Sequence, residues 1–155
     1  MKCLCVILFS LLANLGLSAG ITVKQALVTL QKQSIAANSG DVEALLKTVP
    51  KLGVKVHDLE TNEARVDTRE SMKKQLTDFY KGLDSSCYVY GVKVLSAHQK
   101  EDSVVLMLEV SQVYQMKGSD EFRSWTYQEE AMMKLEGGQV VIKSVAMKKL
   151  DGKSL

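Results

Sequence analysis

The chain has 155 residues, 46% of them hydrophobic and 25% charged, with a net charge of +2. That length suits one domain, and a single proline with no biased tract leaves little room for a linker or a disordered tail. Near-neutrality argues against a large electrostatic footprint for nucleic acid, and Lys143, Lys148, Lys149 and Lys153 read as the solvated face of a terminal strand.

The first element, "MKCLCVILFSLLANLGLSAG", has the pattern of a secretory signal peptide. Lys2 supplies the positive start, Cys3 to Leu12 are apolar apart from Ser10, and Ser18, Ala19 and Gly20 form a cleavage zone. The apolar stretch is shorter than the roughly 20 residues that a membrane span needs. Residues 1–20 are therefore expected to be removed, with no stable membrane insertion afterwards. Residues 21–155 would remain as one exported domain, periplasmic or secreted. Cleavage would leave Cys87 as the only thiol, so no intramolecular disulfide is expected; a buried structural role in a strand is the reading taken.

From Thr22 to Asn38, Val23, Ala26, Leu27, Leu30 and Ala37 recur at helical spacing. Thr22 with Gln25 matches a capping box. Gly40 suits the left-handed residue that ends a helix, and Asp41 can cap a second one over about 42–48, which Pro50 stops. "GVKVHD" at 53–58 reads as a short strand, and 59–66 as a polar loop. "DTRESMKKQLTDFYKGL" reads as a third helix, with Met72, Leu76, Phe79 and Tyr80 on one face. The remainder reads as a meander of strands at roughly 86–98, 103–116, 122–136 and 139–149, with turn chemistry at each break. In the second of these, Val104, Leu106, Leu108 and Val110 face one way.

Helices followed by antiparallel strands make an α+β domain. With "AANSGDVEALL", "VKVHD", "TRESMKKQLTDFY" and "LEGGQVVIKSV" in this order, the chain resembles the nuclear transport factor 2-like superfamily, which includes the SnoaL-like and ketosteroid isomerase-like domains. The resemblance implies a cone-shaped fold, three N-terminal helices packed on a curved, mainly antiparallel sheet, and a cavity between them. It also implies a homodimer through the sheet.

In the ketosteroid isomerases an Asp at the end of the short strand moves the proton, and Asp58 occupies the matching place. The oxyanion donors of that chemistry, a Tyr and a neutral Asp, fall by spacing near Gln33 and Glu130. One gap residue in a strand would turn an inward side chain outward. Asp58 can equally be a strand-end residue bonding its own loop. His57 precedes Asp58 and should point the opposite way, and His98 lies beside a turn. Tyr90, Tyr114, Trp125 and Tyr127 fall on predicted strands, where they line a ligand cavity or serve ordinary packing. No His/Cys spacing points to a metal and no glycine loop to a phosphate, so neither metal nor cofactor is expected. Binding of a small apolar ligand or a protein partner, without catalysis, is the leading reading. The alternative is an isomerase, dehydratase or cyclase with Asp58 as general base.

Overall fold

The computed structural model describes residues 20–154. The expected signal peptide lies outside them except for Gly20, as do Cys3 and Cys5. The described chain runs α1 (Val23–Ser39), α2 (Val42–Leu46), β1 (Val54–Asp58), β2 (Glu63–Asp67) and α3 (Arg69–Gly82). A 3₁₀ turn at Ser85–Cys87 leads into β3 (Val89–Lys100), β4 (Ser103–Gln115), β5 (Phe122–Glu136) and β6 (Gln139–Ser154). Among the described residues the strands form one sheet in the order β2-β1-β6-β5-β4-β3. All pairings are antiparallel except β1 with β6, which is parallel.

The helix boundaries follow from side-chain chemistry. Thr22 and Gln25 cap each other's backbone N–H groups at the start of α1, which satisfies two of its orphan donors. Gly40 ends α1 in the left-handed conformation at φ 68°, and the Asp41 carboxylate accepts from Ala44 N at 2.9 Å to start α2. This corner is held from outside as well. The Tyr80 ring lies 3.3 Å from where a Cβ on Gly40 would sit, and the Tyr80 hydroxyl donates to Ala37 O at 2.8 Å. A side chain at residue 40 would therefore be both strained and crowded.

Two expectations are corrected. Residues 63–67 form an edge strand instead of loop, pairing with β1; the short alternation of Ala64 and Val66 among three charged residues carries little signal, and both apolar residues stay exposed. Cys87 sits in the 3₁₀ turn and is only partly buried, with its sulfur 3.5 Å from Ser86 Oγ. The strand begins two residues later, at Val89.

One cluster fills the sheet end nearest the start of α1. Ile21, Ala26, Val104, Leu106, Leu108, Val110, Ala131 and Met133 are all buried there, and the alternation read from β4 is its floor. A second cluster joins Leu46 and Val49 to Val54 and Val56 of β1. α3 is different. Its backbone packs against α2 and stands away from the sheet, and none of its residues is fully buried. Arg69 donating to Val49 O at 2.9 Å and the Lys73–Glu43 ion pair at 2.6 Å help to hold it there.

Candidate functional site

The space between α3 and the sheet is a cavity of about 410 Å³. Met72, Leu76, Phe79 and Tyr80 line it from α3, and Leu106, Leu108, Ala131 and Met133 form its floor. A smaller lobe of about 270 Å³ continues toward β1 and shares Gln33, Met72, Leu76, Ile142 and Val145 with the first. Ile142 and Val145 are three residues apart yet line the same cavity. Between them β6 carries a bulge, since Met133 pairs with Ile142 while Met132 pairs with Ser144, leaving Lys143 extra.

An aromatic group closes one end. The Phe79 ring meets Tyr80, Tyr88 and Tyr114 edge-on at centroid distances of 5.4, 5.8 and 5.4 Å, and Tyr80 meets Tyr88 at 5.8 Å. Tyr90 is positioned by a two-way backbone clamp. Asn38, at the end of α1, accepts from Tyr90 N at 2.9 Å and donates to Tyr90 O at 2.8 Å.

One carboxyl, Glu129, lines both lobes. It stands on β5 between Leu108 of β4 and Met147 of β6. Burial alone raises it from the ordinary carboxyl value to about 7. Its charge in turn raises Tyr90, where burial is the larger cause, and contributes to raising Tyr127. Asp67 also lines both lobes but is paired with Arg65, whose Nε lies 3.1 Å from its Oδ1.

The residues singled out from sequence separate cleanly. Gln33 and Tyr90 line the cavity. Gln33 donates through Nε2 to Thr48 Oγ1 at 2.7 Å, which engages one of its two amide N–H donors. Tyr114, Trp125 and Tyr127 are on the same sheet face by strand parity but outside the lining; Trp125 Nε1 donates to Tyr114 OH at 3.3 Å, and Lys149 Nζ sits 4.0 Å over the Trp125 ring. Asp58 ends β1 with its carboxylate accepting from Glu60 N at 2.9 Å and Thr61 N at 3.2 Å, and it is not among the cavity residues. That is the loop-bonding arrangement. The His57 ring bonds Asn62 Oδ1 at 3.1 Å, and His98 is exposed on β3.

Glu130 is corrected. It is exposed and borders a groove on the opposite face with Lys55 and His57. Alternation on β5 makes Glu129, Ala131 and Met133 the inward set, so counting back from the final turn missed by one residue. The signal was present: Ala131, two residues on from Glu129, shares its face. The adjacent Met132 and Met133 obscured it, because both are apolar and neither parity stands out.

Among the described residues no group of three or more His, Cys, Asp or Glu side chains is arranged to hold a metal ion.

A scytalone dehydratase-like protein from Novosphingobium aromaticivorans superposes with a TM-score of 0.72 at 10% identity, covering 85% of this chain and 86% of its own. A hexachlorocyclohexane dehydrochlorinase, LinA type 3, from Novosphingobium barchaimii gives 0.67 at 7% identity, over 85% and 88% of the two chains. A ketosteroid isomerase-like protein from Erwinia carotovora atroseptica gives 0.65 at 12% identity, over 83% and 96%. The chain thus has the α+β fold of the nuclear transport factor 2-like class. No family model and no curated protein sequence matches it.

Proposed function

We propose that this protein binds a small, largely apolar ligand in the cavity between α3 and the sheet, with the ligand's one polar group at Glu129. The observation that carries this reading is a cavity of about 410 Å³, within the usual range for small-molecule sites, with apolar and aromatic walls and a single unpaired carboxyl. Closing the fold around solid packing would need no standoff of α3. The test is to fill the space from the helix that tolerates change best. Met72→Trp should keep a cooperative melt but abolish the thermal stabilisation that apolar small molecules give the wild type. Equal stabilisation of both proteins would refute the cavity as the binding site.

Proton-transfer chemistry of the isomerase, dehydratase or cyclase type is the second reading, and here it moves from Asp58 to Glu129. A group with a pKa of about 7 in an enclosed site has the value a general base needs at neutral pH, whereas Asp58 is committed to its own turn. Exchange of α-protons of a simple ketone in D₂O, present in the wild type and absent in Glu129→Gln, would support it. Loss of that exchange in Asp58→Asn instead would return the role to Asp58. Export as a cleaved chain and pairing through the sheet complete the proposal; N-terminal sequencing and sizing of the secreted product check them.

A further inference from the structure

We infer that the ligand of this cavity is an amphiphilic monocation, an apolar body carrying one ammonium group seated against the Glu129 carboxylate. The inference rests on the cavity being the binding site, as proposed above, and adds the ligand's charge.

Charge around the cavity is lopsided. The main lobe is lined by two acids, Asp67 and Glu129, and by no lysine, arginine or histidine; the smaller lobe, which both acids also line, adds one cation, Arg65. Asp67 already has its counter-charge, since Arg65 Nε lies 3.1 and 3.2 Å from its two carboxylate oxygens. Glu129 has no counterpart: among the described residues no side chain donates a hydrogen bond to its carboxyl and no cation pairs with it. The titratable groups around it are mostly phenols. Tyr90 of β3, Tyr127 of β5, Tyr80 of α3 and Tyr88 before β3 are all pushed above the ordinary phenol value, chiefly by burial, and stay neutral. β6 presents apolar Val145 and Met147 near it, with Lys149 further along the same face and over the Trp125 ring, and α1 presents Gln33, one of whose two amide N–H groups is taken by Thr48.

A buried carboxyl with no cationic partner can stay protonated or acquire a cation. An alkylammonium supplies that cation, directs its donors to the carboxylate and the phenol oxygens, and is favoured near aromatic rings. A carboxylate ligand would meet only like charge, and a neutral alcohol would leave the ionised Glu129 uncompensated.

Calorimetric titration of the purified chain with octylamine, octanol and octanoate, which share one apolar body, tests the inference. At about pH 8 octylamine should bind about tenfold or more tightly than octanol, and octanoate weakest. The preference for the amine should grow as pH rises through 7, because Glu129 must lose its proton for the pair to form. In Glu129→Gln the amine and the alcohol should bind alike. Equal binding of amine and alcohol by the wild type, or an amine preference that survives in Glu129→Gln, overturns the cationic ligand and leaves the cavity standing. If none of the three binds the wild type, both readings fall.

Discussion

The helices meet the sheet in two ways. Where α1 begins, Ile21 and Ala26 press onto Val104 and leave almost no accessible surface, at 1%, 0% and 0% exposure. Under α3, the apolar stripe of Met72, Leu76 and Phe79 lines the cavity across from Leu106 and Leu108, with Met72 and Leu76 touching only the smaller cluster around Leu46 and Val54. Both helices are amphipathic, so an apolar face alone does not decide whether a helix packs or roofs a cavity. Small residues let α1 approach closely, Ala26 above all. Large side chains on α3, with Tyr80 wedged at the Gly40 corner and Arg69 and Lys73 tying it to its neighbours, hold that helix off.

The sharpest way to break this contrast is to delete equivalent bulk on each side. Ile21→Ala should lower unfolding free energy by about 2–5 kcal/mol, because the packed end cannot collapse around the hole. Leu76→Ala, already facing a cavity, should cost about 1 kcal/mol or less. Similar losses in urea unfolding would mean that the cavity is in truth packed.

The next effect is electrostatic. Glu129 titrates higher folded than unfolded, so the native state holds its proton longer. The contribution of Glu129 to stability is then greatest below about pH 4.5 and falls as pH rises to about 7, after which it is constant. Glu129→Gln should remove that slope and at pH 8 stabilise the protein by about 2–3 kcal/mol, with little difference at pH 4. A pH-independent difference between the two proteins would show that burial of the charge is not the cause.

Smaller still is the cap at the packed end. Thr22→Ala removes one half of a reciprocal capping box and should cost about 1 kcal/mol by thermal unfolding. Glu130→Gln, one residue from Glu129 and on the exposed face, should change stability by less than about 0.5 kcal/mol at any pH. A pH-dependent gain in this variant would reverse the assignment of inward and outward faces on β5.

Local chemistry made much of the fold readable. The capping box at Thr22, the Gly40–Asp41 corner, the α3 stripe and the alternation of β4 depend on neighbours three or four residues away at most, and each is found where the sequence puts it. β2 was missed because its apolar alternation is only two residues, Ala64 and Val66, set among charges and left exposed on an edge strand. The site was only half legible. Gln33 and Tyr90 line the cavity, but Glu130 gives way to Glu129, and Asp58, Tyr114, Trp125 and Tyr127 are not cavity residues.

By itself, the sequence determined the elements other than β2, their order and the α+β class, because capping, turn and periodicity signals are local. Only the tertiary structure decided which of two adjacent glutamates faces the cavity, and that Asp58 spends its oxygens on its own turn. Strand parity is set by pairing with β4 and β6, and the β6 bulge at Lys143 re-sets which of its residues face inward. A carboxyl's pKa depends on what surrounds it in space. No neighbour in the chain specifies that for Glu129; Leu108, Met147 and the space under α3 do.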